Sequence, residues 1–315
     1  MRIAVTGSIA TDHLMVYPGR FVDQLIEGRL DKVSLSFLAD DLEVRRGGVA
    51  ANIAFGLGSL GLRPILVGAA GRDFAEYRAW LEAAGVDTAS VLISEERHTA
   101  RFVCTTDADQ NQIATFYAGA MSEARGLALA PVVERVGGLD LVVVSPNDPA
   151  AMVRHTDECR DSGIPFAADP SQQLARLDRA EARRLVSGAR YLFTNEYEAA
   201  LLQQLSGWTE RQVLEQVGSW ITTRGADGVV IAGADGTRVT VPAVPTDRVA
   251  DPTGVGDAFR AGFLAGLSHG WTLPRSARLG CALATEALRT VGTQEYRIAA
   301  DELIARSGGT PVATG

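Results

Sequence analysis

The sequence predicts a three-layer α/β/α protein with a mostly parallel central sheet and a small β-sheet lid. The first observation is that apolar runs of strand length alternate with segments of helical period from residue 49 onward. The alternating pairs are 63–68 with 74–85, 139–146 with 150–163, 164–170 with 179–189, and 191–195 with 196–205. Continuous apolar strands joined by amphipathic helices are typical of a parallel sheet that is covered on both faces.

The second observation is that two stretches interrupt this alternation. In 98–122, apolar and polar side chains alternate on both sides of a turn-forming DADQN, which predicts a β-hairpin. The stretch 11–46 also lacks helical periodicity. Each leaves and re-enters the α/β body, so together they predict a small lid over one edge of it. The expected division is a lid of 11–46 and 98–122, and a large α/β domain of 1–10, 47–97 and 123–315.

Composition narrows the class of protein. The 315 residues are 46% hydrophobic and carry a formal net charge of −8, so no broad basic surface is available for nucleic acid or for an anionic membrane. The three cysteines are far apart and never form a CxxC pair, which indicates buried thiols in a reducing compartment. No apolar run approaches the ~18 residues of a membrane span. We therefore expect a cytoplasmic protein with neither nucleic acid nor membrane as a partner.

Lysine is nearly absent, since Lys32 is the only one in the chain. A Walker A loop, a protein-kinase site and a pyridoxal Schiff base each require a lysine in a defined context, and "LDKVS" provides none of these contexts. These three enzyme classes are excluded.

Three further patterns resemble functional motifs but stand in the wrong context. GLGSLG (56–61) matches a dinucleotide fingerprint, yet it ends a helical stretch and precedes a strand, so helix packing and a C-cap are the better interpretation. GLSHG (266–270) matches a nucleophile elbow but follows a helix. The four histidines show no metal-ligand spacing.

The stretch DPTGVGDAFRAGF (251–263) combines a glycine turn with the start of a helix. Free N–H groups and the dipole at such a helix start bind anions. Asp257, in the first turn, could merely complement the dipole. Beside an anion hole, however, its carboxylate can also take the proton of an attacking hydroxyl, as phosphoryl transfer requires. The helix is expected because small and apolar residues share one face: Ala258, Phe259, Gly262, Phe263 and Gly266.

This stretch resembles the C-terminal signature D-T-x-G-x-G-D of the ribokinase-like (PfkB) carbohydrate and nucleoside kinases. Pro252 replaces the usual threonine and so removes a hydroxyl and an N–H from this turn. The resemblance also makes K⁺ a candidate cofactor at the same turn. A second signature, a glycine pair followed by a helix with asparagine, matches RRGGVAANIAFGLGSLG with Gly47, Gly48 and Asn52. The resemblance covers the whole chain and implies a ribokinase-like fold, ATP as co-substrate and Mg²⁺. It makes Asp257 the general base and gives the anion hole to Gly254, Val255 and Gly256.

Two stretches resemble the family's ATP site. TNEYE (194–198) is similar to its NxxE motif, which implies that Asn195 faces ATP and that Glu198 holds Mg²⁺, partly through water; alone, this pattern would be a helix cap. TTRGADG (222–228) is similar to the nucleotide loop and is also a plausible hairpin turn. The residues implied are Thr223, Arg224, Gly225, Ala226, Asp227, Gly228 and Gly256. Both stretches and DPSQQ (169–173) follow carboxyl ends of expected strands, where open α/β sheets bind ligands.

The phosphate acceptor is expected to be adenosine, because four stretches resemble the actinobacterial adenosine kinases: AVTGSIATDHLM, KVSLSFLADDL, ADPSQQLARL and DPTGVGDAFRAGF. The resemblance implies that Asp12, Asn52 and the Gly48 backbone bind the ribose. A carboxylate such as Asp12 suits a vicinal diol, although an Asx-turn is the simpler interpretation. Arg176 is a candidate cation for the γ-phosphate. The nucleoside pocket would be lined by Ser8, Ser36, Gln172, Gln173, Phe102 and Phe116.

The expected reaction gives AMP and ADP, as in purine salvage. A sugar or sugar-phosphate kinase is the nearest alternative. A non-catalytic nucleoside sensor, or a lyase or glycosidase that reuses the fold, is also open. Exposed lid edges favour a homodimer formed through the lid.

Overall fold

The computed structural model describes residues 1–25 and 34–307, so Lys32 lies outside the described residues. Thirteen strands and ten α-helices are formed within these ranges. The strands are β1 Ile3–Thr6, β2 Ala10–Val16, β3 Asp41–Gly47, β4 Ile65–Ala70, β5 Val91–Ile93, β6 Ala100–Thr106, β7 Gln112–Tyr117, β8 Leu141–Val144, β9 Phe166–Ala168, β10 Tyr191–Asn195, β11 Ser219–Thr223, β12 Val229–Ala232 and β13 Arg238–Val241.

The α-helices are α1 Val49–Ser59, α2 Ala75–Ala83, α3 Ala130–Val136, α4 Pro149–Asp161, α5 Arg179–Val186, α6 Glu196–Ser206, α7 Glu210–Leu214, α8 Val255–Ser268, α9 Leu273–Leu288 and α10 Ala300–Arg306. Short 3-10 segments lie at Phe21–Gln24, Gly119–Gly126, Ser171–Arg176 and Gly225–Asp227. Every strand and helix expected in the alternating part of the sequence is present.

The large sheet has nine strands in the order β13-β12-β11-β10-β9-β8-β1-β4-β5. Seven of them, from β11 to β5, pair in parallel, while β12 and β13 add an antiparallel edge. One face of the sheet packs on α1, α2, α8, α9 and α10, and the other on α3 to α7, each with its own buried apolar cluster. This is the three-layer architecture that the sequence predicts.

The small sheet has four strands in the order β3-β2-β6-β7. Strands β6 and β7 form the expected antiparallel hairpin, and β2 pairs with β6 in parallel. The 3-10 segment Gly119–Gly126 returns the chain to the large sheet, where Ala120 and Ala124 pack against Ala69 and Ala151. The division into two domains stays a prediction.

The misleading motifs are structural, as expected. GLGSLG lies at the end of α1, where a Cβ on Gly56 would come within 2.6 Å of Ala261 Cβ. GLSHG lies at the end of α8. Cys104, Cys159 and Cys281 are free and buried. Within residues 1–25 and 34–307, no helix has the length and apolarity needed to cross a membrane.

Candidate active site

The first turn of α8 is built around two glycines. Gly254 is the N-cap with a φ of 74°, in the left-handed region that favours glycine, and a Cβ there would lie 2.8 Å from Thr293 Cγ2. The helix begins at Val255, as predicted, so the N–H groups of its first turn have no partners within the helix. Because those groups carry partial positive charge, this turn can hold an anion.

Asp257 lies in this first turn and is held by one strong contact. Asn52 Nδ2, from α1, donates to Asp257 Oδ2 at 2.8 Å. Burial raises the pKa of Asp257 to about 7, while the positive charge of Arg260 and the Asn52 hydrogen bond act in the opposite direction. A carboxyl with a pKa near neutrality is suited to accept a proton from a hydroxyl at physiological pH.

Three residues after Asp257 in α8, Arg260 forms a buried ion pair with Asp169 that the sequence analysis did not predict. Arg260 is 5% exposed and Asp169 is fully buried. Arg260 Nε lies 2.5 Å from Asp169 Oδ2, and its Nη2 donates to Oδ1 at 2.6 Å. Arg260 Nη1 also donates to the Gly256 carbonyl at 3.0 Å. The pair therefore connects the end of β9 to the glycine turn.

A cavity of about 610 Å³ lies on the small-sheet side of the α8 first turn, where the family resemblance predicts the phosphate acceptor. Most of the residues expected to bind the acceptor line it, whereas Ser36 is exposed and is not brought into it. The lining residues are Ser8, Ala10, Asp12, Gly48, Val49, Asn52, Phe102, Phe116, Met121, Pro146, Gln172, Gln173, Arg176, Thr253, Gly254, Asp257 and Thr293. We call it the acceptor cavity.

Asp12 projects from β2 into this cavity. Burial raises its pKa to about 6, with Arg45 lowering it and Asp251 raising it. A Cβ on Gly47 would lie 3.1 Å from Asp12 Oδ2, so the glycine leaves room for the carboxylate. β2 and the end of β3 thus present the Asp12 carboxylate to the cavity, where it can accept hydrogen bonds from ligand hydroxyls.

The entry to α1 is equally constrained. Gly48 has a φ of 93°, and a Cβ there would lie 2.6 Å from the Ser8 carbonyl oxygen. Ser8 Oγ accepts a hydrogen bond from Val49 N at 3.0 Å. The Gly48 backbone therefore closely approaches residues 8–10, which connect β1 to β2. Across the cavity, Phe102 and Phe116 are direct cross-strand partners in the β6–β7 hairpin.

A second cavity, of about 620 Å³, lies on the other side of the α8 first turn. Five residues expected to bind ATP line it: Thr223, Gly225, Ala226, Gly228 and Gly256. The others are Ala243, Val244, Pro245, Thr246, Val249, Pro252, Val255, Phe259, Cys281, Ala284, Thr285 and Leu288. In the part of the chain that the structure describes, none of its lining residues is charged, as suits the flat apolar face of a nucleobase. We call it the nucleotide cavity.

Three residues expected at the ATP site do not line the nucleotide cavity. Asn195 caps α6 in a reciprocal capping box, in which its Oδ1 accepts from Glu198 N at 2.8 Å. Arg224 is drawn outward by an ion pair with Glu196 at 2.9 Å, and Asp227 is exposed. The turn itself connects β11 to β12, so the hairpin interpretation is confirmed for its backbone.

The model of the pfkB family carbohydrate kinases matches residues 5–299. The chain belongs to this family. A nucleoside kinase of Methanothermobacter thermautotrophicus is 33% identical over 253 residues, which are 79% of this chain and 80% of that protein.

Solved structures of pfkB-type kinases share the whole fold. A nucleoside kinase of Burkholderia thailandensis in complex with inosine is 35% identical, with a TM-score of 0.81, and the match covers 97% of this chain and 96% of that one. A nucleoside kinase of Methanocaldococcus jannaschii, described as a member of the ribokinase family, is 25% identical with a TM-score of 0.83 over 98% of both chains. The ribokinase-like fold is therefore confirmed.

The pfkB resemblance implies that Mg²⁺ binds with ATP and that Glu198 is a ligand of this Mg²⁺. Among the described residues, no cluster of three or more His, Cys, Asp or Glu side chains is arranged to hold a metal. Mg²⁺ that arrives with a nucleotide needs only one or two protein carboxylates, because phosphates and water complete its shell. Glu198 fits that role because its carboxylate lies near those of Asp169 and Asp257, and a divalent cation there would offset their mutual repulsion.

Several functional candidates were missed by sequence reasoning. Met121 and Thr293 line the acceptor cavity, and Gln294 contacts Asn52. Arg260 carried a usable signal, because it interrupts a helix that is otherwise apolar beyond Asp257, and an isolated charge in such a helix requires a buried partner. The sequence offers no comparable signal for Met121 or Thr293.

Proposed function

We propose that the protein is an adenosine kinase that transfers the γ-phosphate of ATP to the ribose 5′-hydroxyl of adenosine, giving AMP and ADP. One observation carries this proposal. The first turn of α8 separates the two cavities, with Gly254 and Asp257 facing the acceptor cavity and Val255 and Gly256 facing the nucleotide cavity. A phosphoryl group bound at this turn is within reach of both substrates.

In the proposed mechanism, Asp257 accepts the proton of the 5′-hydroxyl as that oxygen attacks the γ-phosphorus and ADP leaves. With a pKa of about 7, a large fraction of Asp257 is ionised at neutral pH. The N–H groups of Val255, Gly256 and Asp257 would stabilise the negative charge of the transferring group. Mg²⁺, held in part by Glu198, would neutralise charge on the ATP phosphates when bound.

The nucleoside part of the proposal rests on the acceptor cavity. Its volume of about 610 Å³ is larger than a bare pentose requires, and Phe102 and Phe116 supply flat apolar surface for a base. Asp12 can accept two hydrogen bonds from a ribose diol. The inosine complex of the Burkholderia kinase, at 35% identity, supports a purine nucleoside as the acceptor. Adenosine rather than inosine is the finer prediction.

A sugar-phosphate kinase is the second candidate, because Arg176 is a cation in the acceptor cavity. An ATP-dependent ribose-1-phosphate kinase of Halopiger xanaduensis is 33% identical over 230 residues, which are 70% of this chain and 72% of that protein. A phosphorylated pentose would use Arg176 for its own phosphate and would leave the aromatic hairpin without a ligand.

The deciding experiment is an ADP-release assay with adenosine, inosine, cytidine, ribose 1-phosphate, ribose and fructose 6-phosphate as acceptors, at fixed MgATP. We expect kcat/KM to be highest for adenosine. A higher value for inosine would move the assignment to another purine nucleoside, and a higher value for ribose 1-phosphate would overturn it. ATP consumption would also eliminate a non-catalytic sensor, whereas turnover of a nucleoside without ATP would indicate a lyase or glycosidase.

We also propose that two chains pair through the lid. Its sheet leaves several apolar side chains exposed: Val16, Leu42, Val44, Ile113, Phe116 and Tyr117. Both β3 and β7 are edge strands, which can pair with another chain. Light scattering should give twice the chain mass of 33.4 kDa, and Val44→Glu should reduce it to that of a monomer.

A further inference from the structure

Asn52 donates to Asp257, but an amide side chain has an oxygen at the same distance from its carbon as the nitrogen. If the amide were turned over, its oxygen would face the Asp257 carboxyl and favour the protonated acid over the carboxylate. The direction of the Asn52 amide therefore decides whether Asp257 is a base. Some group behind Asn52 must impose that direction.

Thr293 cannot impose it. Its hydroxyl oxygen lies 2.8 Å from the Arg46 carbonyl and 2.9 Å from Asn52 Oδ1. The hydroxyl has one proton, and the carbonyl can take it. Its oxygen would then accept a hydrogen bond from a turned Asn52 amide. Thr293 is consequently compatible with both directions of the Asn52 amide.

Gln294 is more constrained by its partners, although its own Oε1 is buried and has no hydrogen-bond partner among the described residues. Its Nε2 lies 2.8 Å from Asn52 Oδ1 and 2.6 Å from the Tyr77 hydroxyl. The Tyr77 hydroxyl lies 2.8 Å from the Gly47 carbonyl, which can only accept, so the tyrosine proton is used there and its oxygen accepts from Gln294. The two protons of Nε2 are thus given to Tyr77 and to Asn52 Oδ1.

We propose that Gln294 is a positioning residue that acts through Asn52: it sets the direction of the Asn52 amide and thereby keeps an N–H group aimed at Asp257. The chain of hydrogen bonds begins at the Gly47 carbonyl, which accepts from the Tyr77 hydroxyl. The Tyr77 oxygen accepts from Gln294 Nε2, which also donates to Asn52 Oδ1. Gln294 is 1% exposed and Tyr77 is 5% exposed, so water does not compete for these bonds. Gln294 does not line the acceptor cavity, so it acts without touching the acceptor.

Gln294→Glu tests the proposal because it replaces the Nε2 donor with a carboxylate oxygen, which can only accept hydrogen bonds. A carboxylate at 294 has no proton to donate, so the Tyr77 hydroxyl turns from the Gly47 carbonyl to donate to it and Asn52 turns its Nδ2 toward it, which leaves the Asn52 oxygen facing Asp257. The new negative charge raises the pKa of Asp257 in the same direction, whereas Gln294→Met adds no charge. We expect the pKa of Asp257 to rise by about one unit or more, which is about tenfold in the ionised fraction at acidic pH. Gln294→Met removes both donors with little change of size and should raise the pKa of Asp257 by a smaller amount.

The primary readout is a ¹³C NMR titration of aspartate carboxyl carbons in the ligand-free protein, with the Asp257 signal assigned from Asp257→Asn. Gln204→Glu, on the exposed face of α6, is the matched control and should leave that signal unchanged. Other groups that act on Asp257 are the same in every variant: Arg260 on α8, Asp169 after β9, Glu198 on α6 and Tyr296 after α9.

The secondary readout is the pH profile of kcat/KM. Relative to pH 9, activity at pH 6 should fall about tenfold further in Gln294→Glu than in the wild type. An equal loss at every pH, with an unshifted Asp257 titration in both Gln294 variants, would overturn the proposal; if Gln294→Glu does not fold, Gln294→Met decides alone. The inference rests on the proposed function, because it explains how Asp257 stays a base. A wild type that is inactive with every acceptor would refute the proposed function alone. The role of Gln294 would still be tested, because the NMR titration needs no turnover.

Discussion

The two cavities beside the α8 first turn differ in chemistry and in origin. The acceptor cavity takes residues from the small sheet, from α1 and α8, and from the segments that follow β8 and β9, and it contains three charged side chains, Asp12, Arg176 and Asp257. Among the described residues, the nucleotide cavity is lined by residues from Thr223 to Leu288, none of them charged. Their volumes are nearly equal, about 610 and 620 Å³.

This difference in charge indicates which interactions supply the binding free energy in each cavity. Charged, partly desolvated groups discriminate between hydroxyl patterns, because an unmet hydrogen bond there is costly. Apolar walls bind a base by contact area and leave the phosphates to backbone N–H groups. Substitutions in the acceptor cavity should therefore alter turnover and acceptor affinity, and substitutions in the nucleotide cavity should alter ATP affinity alone.

The largest expected effect is that of Asp257→Asn. Loss of a general base lowers kcat by about 10²–10⁴-fold, while the adenosine Kd measured by calorimetry should change little. The matched control is Asp301→Asn, since Asp301 lies in the first turn of α10 and there only complements a helix dipole. A kcat for Asp257→Asn within a few fold of the wild type would contradict the assignment of the base.

Asp12→Asn should have the next largest effect. The substitution replaces two charge-assisted hydrogen bonds to the ribose with neutral ones, which are weaker by roughly 1 kcal/mol each, so the KM for adenosine should rise about 30-fold. The KM for ATP should not change. Parallel increases in both KM values would show that the cavities are not independent.

The pH dependence should reflect Asp257. Because its pKa is about 7, kcat/KM should rise with pH and level off above that value, with about a tenfold loss per unit below it. The folded-state pKa is raised, so the protonated form favours folding, and this contribution to stability is lost as pH rises through about 7. Asp257→Asn should therefore gain more in Tm over the wild type at pH 8 than at pH 5, as measured by scanning calorimetry.

Ala284→Phe tests the apolar side of the comparison. Ala284, on α9, lines the nucleotide cavity, and a phenyl ring there would occupy space needed by the base. We expect the KM for ATP to rise by about tenfold, with adenosine binding unchanged. Ala200→Phe, on the exposed surface of α6, controls for the added bulk.

The smallest expected effects are those of Phe102→Ala and Phe116→Ala. Loss of one aromatic contact of about 0.5–1.5 kcal/mol should raise the adenosine KM by several fold and lower kcat less. Phe116 is 49% exposed and Phe102 less so, hence Phe102→Ala should have the larger effect. Ile113→Ala, on the same strand as Phe116 but outside the cavity, should have none.

The sequence predicts the fold well because the central strands of the large sheet are almost entirely apolar and the helices between them have one apolar face. It also predicts the glycine turn and Asp257, since both are local in the chain. It does not predict the Asp169–Arg260 pair or the Tyr77–Gln294–Asn52 contacts, because those partners are 91, 217 and 242 residues apart and meet only through packing. Ser36 failed to reach the cavity for a related reason: resemblance of a local stretch does not fix the path of a segment without regular structure.

The separation of the two cavities by one helical turn has an evolutionary consequence. Among residues 1–25 and 34–307, none lines both cavities, so the small sheet and the segment after β9 can change without altering the phosphate donor site. A family built on this plan is free to diversify its acceptors while its donor stays constant. Selection for a fixed sequence is then expected to be concentrated in the four residues from Gly254 to Asp257, where a single substitution affects both halves of the reaction.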